Sequence, residues 1–515
     1  ERVESYDAVS RHRFVTTYAY HHGYFDGAER EFRGFGMVEQ WDTESFSRFS
    51  GAGDLPPPAN ASDPEMHLPP VRTRTWFHTG AWTAGARISA QYAREYYQGD
   101  ALATLLPDTI LPTGLSAIEA REACRALKGQ VLRQEVYADD GTVQAAEPYT
   151  VSERSYAVRS IQPIVGRAHG VYLVYPREAI ESHYERNPNG VIDPRITHAF
   201  TLEVDEHGVT LRSAAVGYPR RVAFAAHDEQ GTTAITLREV NVADHVPTKA
   251  GWYRLSVPIE SRSYELLGLL PAANALLTFA QILAAADTAD ELPYEQLTGP
   301  SQYSKRLLSQ SMTLYANDDR TGPLPLGQFA SHALAWQSYS KAFTPALLTS
   351  ALGGRATDAI LTEGGYIRFL PEDDAWWVPS GRAAFSGPER FYLPDTFSDS
   401  FGNTSTVGYD IYNFAVVQAT DPLENTVLAD YDYRVLAPVR VTDANGNRAA
   451  AQFDELGRVV ASAILGKVGS TDGDTLADPT TTFAYDLTRF ATTGEPNVVY
   501  SRAREQHGPT NTRWQ

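Results

Sequence analysis

The sequence is poor in sulfur-containing residues, with one cysteine and three methionines among its 515 residues. The single cysteine, Cys124, excludes an intrachain disulfide, so stability outside a cell would have to come from packing. A thiol nucleophile would need a base, and the sequence near Cys124 supplies none. Cys124 is therefore predicted to be a small apolar residue inside a helix or strand.

The sequence also lacks the short motifs of the common enzyme classes. It contains no Gly-x-Ser-x-Gly nucleophile elbow, no glycine-rich phosphate loop and no His-Glu-x-x-His zinc motif. We therefore predict that the protein is not an enzyme, needs no cofactor and has a structural role.

No hydrophobic run is long and unbroken. The longest apolar stretch, residues 266–286, approaches the length of a membrane span, but it contains Pro271, Asn274 and Gln281. It is predicted to be a buried or amphipathic helix. The chain opens on polar residues without a charged-then-apolar signal segment, and we expect this start to lie within a longer protein.

Positive charge is scarce. The chain has 44 Lys and Arg residues and 63 Asp and Glu residues, which gives a net charge of −19. Phosphates would repel such a surface, which excludes nucleic acid as the expected partner. Aromatic residues are abundant, with 28 Tyr, 21 Phe and 8 Trp. Flat rings pack well on half-buried strands, so this composition favours β-sheet over a helical bundle.

A 22-residue repeat lies between residues 399 and 465. Asp399, Asp421 and Asp443 each open an Asp-x-x-Gly/Glu-Asn motif, and an aromatic–Asp pair follows each motif in the same register. A further aromatic–Asp pair occurs after a looser loop. The residues predicted to carry the repeat are Asp399, Asn403, Tyr409, Asp410, Asp421, Asn425, Tyr431, Asp432, Asp443, Asn447, Phe453, Asp454, Tyr485 and Asp486.

The repeat predicts turns that separate short strands. Asp and Asn hydrogen-bond to their own backbone and tolerate left-handed conformations, while five to seven β-branched and aromatic residues between turns indicate strands. Such a unit cannot bury a face alone and must extend a sheet with its neighbours. Because the Asp residues recur with a fixed period, we predict structural roles for them and not a single catalytic acid pair.

Three segments are predicted along the chain. Residues 1–290 are expected to form a β-rich segment with helices near 116–127 and 266–286. Residues 291–395 are expected to connect it to a repeat sheet at 396–515, with another possible helix at 304–314. The proline-rich stretch 54–58 is expected to be an exposed connection.

Two groups of side chains are candidate metal ligands. His21 and His22 with Asp26 fit no strong zinc spacing, and adjacent strand residues point to opposite faces. Residues Asp472, Asp474 and Asp478 resemble a calcium loop, but the EF-hand ligand series and its closing Glu are absent. We therefore predict no metal site, and a solvated turn at 472–478.

Several stretches together resemble a known family, the B component of the bacterial Tc insecticidal toxin complexes, and more broadly the Rhs/YD-repeat polymorphic toxins. They are spread over nearly the whole chain in family order. The stretches are Tyr20–Asp26, Glu31–Gly36, Val71–His78, Ala214–Tyr218, Glu363–Tyr366, Trp376–Gly381, Asp432–Leu436, Thr442–Asn447 and Phe453–Arg458.

The resemblance implies a mainly β fold, in which a long antiparallel ribbon with a few short helices is wound as part of a hollow shell, or cocoon. It implies a secreted toxin complex whose C component, fused or separate, carries an effector enclosed by that shell. It also implies docking to a pore-forming A component through a propeller. This chain has no propeller-like repeat, no self-cleaving protease end and no effector domain, so it resembles the middle of B and the start of its repeats.

Two other functions remain open from the sequence. A cell-surface adhesin or carbohydrate-binding protein could stack sugars on exposed aromatic rings, and Trp376-Trp377 is the best candidate for that role, although core packing is favoured. A glycosidase would need one pair of acids, which the periodic Asp residues fit poorly.

Overall fold

The computed structural model describes residues 1–7, 11–43, 68–83, 87–166, 169–186, 190–221, 227–246, 251–299 and 301–508. The proline-rich stretch 54–58 lies outside them. Strands account for 45% of the chain and helices for 12%, which confirms a mainly β fold with a few short helices. Among the helices of these residues, none combines the length and the apolar composition needed to cross a membrane.

The strands are numbered in chain order. They are β1 (Arg2–Tyr6), β2 (Arg13–Asp26), β3 (Glu31–Trp41), β4 (Val71–Phe77), β5 (Val131–Ala138), β6 (Thr150–Gln162), β7 (Val171–His183), β8 (Arg195–Val204), β9 (Thr210–Gly217), β10 (Ala234–His245), β11 (Arg254–Leu267), β12 (Asp290–Leu292), β13 (Ser304–Tyr315), β14 (Ala335–Phe343), β15 (Trp376–Pro379), β16 (Arg382–Phe385), β17 (Pro394–Ser398), β18 (Thr404–Tyr409), β19 (Val416–Thr420), β20 (Thr426–Asp432), β21 (Ala437–Thr442), β22 (Arg448–Phe453), β23 (Val459–Leu465), β24 (Thr481–Asp486) and β25 (Val498–Ala503).

The helices are short. The α-helices are α1 (Ala117–Arg125), α2 (Phe279–Thr288), α3 (Pro345–Leu352), α4 (Asp358–Glu363) and α5 (Arg489–Thr493). Single turns of 3-10 helix occur at Ala93–Glu95, Val143–Ala146, Asp228–Gly231, Gly353–Arg355 and Pro388–Arg390.

The described residues fall into two compact units. The first comprises Glu1–Asp7, Arg11–Asp244 and Glu260–Gln310, and the second includes His245–Ile259 and Ser311–Gln515. In the first unit, strands β1 to β10 pair in chain order, and the order continues through β11 to β13. Where a strand register is described there, the pairing is antiparallel, except that the short β12 runs parallel to β13.

Two capped helices cover the sheet of the first unit. Ser116 caps helix α1, and its hydroxyl accepts a hydrogen bond from the Glu119 N–H in a capping box, which confirms the predicted helix near 116–127. Its buried Cys124 packs in a cluster with Tyr156 and Val158 of β6. Cys124 is 1% exposed, in agreement with its predicted place as a small apolar core residue.

The predicted helix over 266–286 is wrong for its first half. Strand β11 continues to Leu267, and Gly268 then takes a left-handed φ of 86° that ends the strand. Helix α2 begins only after Thr278, whose side chain forms a capping box with Gln281. Continuous apolar composition did not reveal that a buried strand and a buried helix share this run.

The possible helix at 304–314 is also wrong, because these residues form strand β13. Ser304 pairs with Asp290 of β12, and at the other end Ser311 pairs with Ser340 of β14. Pairing on both sides of the strand overrides the local preference for helix, a tertiary effect that the isolated segment does not reveal.

The second unit contains a ten-stranded sheet. Its strands follow one another from β16 to β25, each paired antiparallel with its neighbours in the sequence. A separate apolar cluster in this unit contains Met312, Tyr339, Ala375 and Trp377. The three predicted segments 1–290, 291–395 and 396–515 stay predictions, although the ten-stranded sheet accounts for most of the last one.

Repeat turns as the candidate functional site

The 22-residue repeat corresponds to two strands and two turns. One kind of turn begins at Asp399, Asp421 or Asp443 and joins β17 to β18, β19 to β20, and β21 to β22. The aromatic–Asp pairs end β18, β20 and β22 and open the other kind of turn. Because the strands alternate in direction, the two kinds of turn lie at opposite edges of the sheet. We call these the Asp-Asn edge and the aromatic edge.

The three turns of the Asp-Asn edge have the same hydrogen bonds. In the third, the Asp443 Oδ1 accepts from the backbone N–H groups of Asn445 at 2.9 Å and Asn447 at 2.8 Å. The Asn447 side-chain amide donates to the Asp443 Oδ2 at 2.8 Å. Corresponding distances in the other two turns are 2.8–2.9 Å. The Asp and Asn of each motif thus close the turn as one unit.

The fourth residue of each of these turns has a left-handed backbone. Gly402 and Gly446 have φ values of 85° and 77°, and Glu424 occupies the corresponding place with φ 66°. Left-handed φ costs a residue with a Cβ roughly 1–2 kcal/mol, whereas glycine adopts it freely. The second turn is therefore the strained member of the set.

Glu424→Gly is expected to stabilise the protein by about 0.5–1 kcal/mol, since it removes this strain. The urea midpoint should rise accordingly. Gly446→Ala is the matched control, because it introduces a Cβ at the same place in the next turn, where the nearest atom to that Cβ is 3.9 Å away. The control should be destabilised through backbone strain alone, and a fall of the midpoint for Glu424→Gly would contradict the explanation.

The turns of the aromatic edge use the same Asp chemistry with different partners. The Asp410 Oδ1 accepts from the N–H groups of Phe414 at 2.6 Å and Ala415 at 3.1 Å. Its Oδ2 accepts from the Tyr433 hydroxyl at 2.6 Å, which connects one repeat to the next. Asp432 accepts from the Arg434 N–H at 2.8 Å.

In the third aromatic-edge turn, as in the second, an arginine side chain pairs with the Asp. Asp454 accepts from the N–H groups of Leu456 and Arg458, both at 2.9 Å, and from the Arg458 guanidinium at 2.8 Å. That guanidinium lies 4.4 Å from the centre of the Tyr485 ring. This contact extends from the third repeat to the fourth aromatic–Asp pair.

The aromatic members of the pairs lie in strands. The Tyr409 hydroxyl donates to the Pro394 carbonyl at 2.9 Å, and the Tyr485 hydroxyl donates to the Val459 carbonyl at 2.8 Å. Tyr431 and Phe453 take the corresponding positions in β20 and β22. Asp486 ends β24 and accepts from the Thr488 N–H at 3.2 Å.

The turn carboxylates have lowered pKa values. The Asn447 amide, ahead of the backbone N–H donors, holds the pKa of Asp443 below its usual range, and Asn403 and Asn425 do the same for Asp399 and Asp421. Such groups stabilise the fold when ionised. This stabilisation is complete above the unfolded pKa of about 4 and is lost as the pH falls below that value through the lower folded-state pKa values.

Acidification from pH 6 to pH 3 is therefore expected to lower the urea midpoint of the protein. The triple variant Asp399→Asn, Asp421→Asn and Asp443→Asn should have a lower midpoint at pH 6 and a smaller further loss at pH 3, since its turns no longer titrate. Equal pH dependence in the triple variant and the unaltered protein would rule out these three carboxylates as a source of acid sensitivity.

The candidate zinc ligands near the start of the chain contact separate partners. His21 contacts Glu39 at 3.2 Å, and His22 contacts Glu95 at 2.8 Å. Asp26 pairs with Arg33 at 2.8 Å and with Arg121 at 3.1 Å. Within the described parts of the chain, no group of three or more His, Cys, Asp or Glu side chains is placed to hold a metal ion.

The expected solvated turn at 472–478 is wrong for Asp474, which is buried. It accepts hydrogen bonds from the Gly508 N–H at 2.9 Å and the Thr480 hydroxyl at 2.6 Å, and it contacts His507 at 2.7 Å. Burial alone would raise the pKa of Asp474, but these contacts bring it down to about 2. Asp474 thus fixes the end of the chain beyond β25 to the loop before β24, a contact over more than thirty residues that sequence spacing does not reveal.

Cys124 has the environment of a packing residue. Burial is the main cause that raises the pKa of its thiol to about 11. The thiol is therefore protonated at neutral pH and unsuited to attack a substrate.

Comparisons with known proteins agree with this architecture. The middle/N-terminal region of the insecticide toxin TcdB matches residues 2–52, and the middle/C-terminal region of TcdB matches residues 122–247. A search of curated proteins found no match.

Solved structures cover nearly the whole chain. A crystal structure of TcdB2-TccC3 is 24% identical with a TM-score of 0.79, and the alignment covers 98% of this chain and 25% of that one. TcdB2-TccC3 without its hypervariable C-terminal region is 25% identical with a TM-score of 0.74, covering 94% and 24%. A Tc holotoxin pore from Photorhabdus luminescens is 24% identical with a TM-score of 0.75, also covering 94% and 24%. This chain thus spans about a quarter of the length of the structures that it matches.

Proposed function

We propose that this chain, two stretches of which match the TcdB middle regions, is part of a Tc insecticidal toxin B component and forms a segment of a protective shell around a toxic effector. Its role in this proposal is containment, without catalysis. The repeat turns serve it by holding a long ribbon of strands together at both edges.

The observation that carries the proposal is the exposure of side chains on both faces of the repeat sheet, within the part of the chain that the structure describes. Val427 and Leu428 are neighbours in β20, so their side chains point to opposite faces, and they are 41% and 46% exposed. Among the described residues of β16 to β25, the only buried hydrophobic side chains are Ala461 and Ala463. A globular domain would cover at least one face with a second layer. A wall between two spaces needs no such layer.

The side chains across the sheet suit a wall that does not trap its contents. Thr396, Thr406, Thr420 and Thr426 are aligned across four successive strands, β17 to β20. The hydroxyls of Thr420 and Thr426 are 3.0 Å apart, within hydrogen-bonding distance. Polar, uncharged rows beside moderately apolar residues would hold an unfolded cargo only weakly, because a strongly apolar lining would bind its exposed hydrophobic groups.

The partners follow from the family. We propose that a C component, fused or separate, and its enclosed effector are the immediate partners, and that a pore-forming A component joins through a propeller outside this chain. The matched structures contain TcdB2 with TccC3, and one is a Tc holotoxin pore. The assembly is proposed to act outside the producing cell.

The proposal is tested on the full-length protein with its C component. Cryo-electron microscopy should reveal an internal void bounded by the sheet β16 to β25, and protease should spare the effector in the intact complex. An effector digested as fast as the free segment would contradict containment, as would dense protein on both faces of the sheet.

A carbohydrate-binding function lacks a site at the residues that favoured it. Trp376 and Trp377 are 4% and 0% exposed, so neither ring can stack on a sugar without unfolding its surroundings. The Arg368 guanidinium also covers the Trp376 ring at 4.2 Å.

A further inference from the structure

The aromatic edge of the repeat sheet contains one irregularity in each hairpin. In the pairing of β18 with β19, Gly408 lies opposite Gln418, but the next residue, Tyr409, lies opposite Val416. Val417 therefore has no partner of its own, which defines a β-bulge.

The same bulge recurs with the repeat. Asp430 faces Arg440 and Tyr431 faces Pro438, which leaves Val439 as the extra residue of β21. In the next hairpin, Gln452 faces Ala461 and Phe453 faces Val459, which leaves Val460. The extra residue is thus a valine in all three hairpins. It lies opposite the peptide bond between the aromatic residue and the residue that precedes it. A fourth bulge, at Asp395, precedes them in the pairing of β16 with β17.

The Asp-Asn edge has no such irregularity. The described pairings of β17 with β18, β19 with β20 and β21 with β22 run without a register shift. In each aromatic-edge hairpin, the second strand therefore contains one more residue than the strand with which it pairs, and the extra residue lies near the same edge in all three hairpins.

We infer that Val417, Val439 and Val460 are positioning residues that bend the repeat ribbon in a constant direction. A bulge bends its strand and increases the local right-handed twist, and bulges placed at regular intervals are a known means of curving a sheet. One bulge per repeat, always near the same edge, adds to the bend in the same direction each time. The use of this bend to enclose a volume rests on the proposed function, whereas the bend itself does not.

Deletion of Val439 tests the inference in the full-length protein. With Val439 removed, the Asp430–Arg440 pair and the Tyr431–Pro438 pair become consecutive pairs of a regular antiparallel ladder. The register of the other residue pairs is unchanged. Deletion of Val441, two residues away in the same strand and paired with Ala429, is the matched control. That deletion moves Thr442 to the opposite face and shortens the link to the Asp443 turn, so it should destabilise the hairpin more than deletion of Val439 does.

Spin-label distances report the geometry of the two edges. One label pair, at Ile411→Cys and Glu455→Cys, spans the aromatic edge, and a second, at Ser400→Cys and Ala444→Cys, spans the Asp-Asn edge. Deletion of Val439 should change the first distance by a few ångströms, because it removes a bend between the two labels, and should leave the second nearly unchanged. The buried thiol of Cys124 should contribute no background label.

Three results would overturn the inference: both distances unchanged by the Val439 deletion, an unfolded Val439 variant, or a Val441 deletion tolerated equally well. An unfolded Val439 variant counts against it because an extra residue is not needed for the pairing on either side. If the distances respond as expected while the effector in the unaltered complex is digested, the proposed function fails and the bend stands.

Discussion

Trp377→Ala is expected to destabilise the protein by about 3–5 kcal/mol, the range for removal of a large buried aromatic side chain. Trp377 is fully buried in the second unit, where its ring meets Phe369 edge-on at 5.5 Å. Phe369 in turn stacks on Tyr339 at 3.9 Å. Loss of the indole would leave a cavity bounded by a rigid aromatic set that cannot collapse to fill it. Urea denaturation followed by circular dichroism measures the effect.

The neighbouring Val378 supplies the control, since it is 41% exposed on the opposite face of β15. Val378→Ala should cost less than about 1 kcal/mol. Trp377→Phe should recover much of the loss, because the buried Trp377 indole N–H has no hydrogen-bond partner within the described structure and phenylalanine removes that donor. Unchanged stability in Trp377→Ala, together with loss of binding to a glycan array, would revive the carbohydrate-binding alternative.

Arg133→Ala is expected to cost about 3–5 kcal/mol, because it leaves the buried Glu135 and the largely buried Glu153 carboxylates without their cation. The Arg133 Nε donates to Glu135 at 2.7 Å and its NH1 group donates to Glu153 at 2.8 Å, while the Tyr96 ring lies 4.7 Å from the guanidinium. The Glu135 side chain is fully buried. Thermal or urea unfolding of the first unit measures the loss.

The Arg133→Ala deficit should shrink on moderate acidification. Burial already raises the pKa of Glu153 against the opposing effect of Arg133, and removal of the arginine raises it further. A raised folded-state pKa favours the fold at low pH and disfavours it as the pH rises above the unfolded value near 4.3. The variant should therefore lie closer to the unaltered protein at pH 5 than at pH 8. Arg434→Ala, which removes an exposed partner of Asp432, is the control and should have little effect. A deficit that grew on acidification would contradict this electrostatic explanation.

Periodic features of the fold could be predicted from the sequence, and non-periodic ones could not. The 22-residue spacing of Asp399, Asp421 and Asp443 predicts evenly spaced turns between strands, because a local side-chain–backbone hydrogen bond needs nothing beyond its own five residues. The helix near 116–127 was predicted correctly, and the structure shows that Ser116 and Glu119 form a capping box at its start, which is also a local device. The helix predicted at 304–314 failed because partners distant in sequence decide that segment.

In the candidate site, too, the features that depend on neighbouring residues could be predicted, and those that depend on distant partners could not. The chemistry of the Asp and Asn residues is local, and the sequence indicates it, while their roles as structural residues stay a prediction for the variants to test. The hydrogen bond from Tyr433 to Asp410 joins two repeats and depends on the register between strands. The bulges at Val417, Val439 and Val460 depend on that register as well. Val417 and Val439 are 22 residues apart, but Val460 follows Val439 after only 21 residues, so a search at the fixed period would have found two of the three.

The pairing of each strand of the repeat sheet with its neighbours in the sequence has a consequence for biogenesis. Contacts between residues near one another along the chain form quickly, because closing a short loop costs little entropy. The sheet from β16 to β25 can therefore assemble vectorially, one hairpin after another, while the polypeptide emerges from the ribosome or from a narrow secretion channel. Each completed hairpin templates the next, and no part of this sheet has to wait exposed for a distant segment to be synthesised.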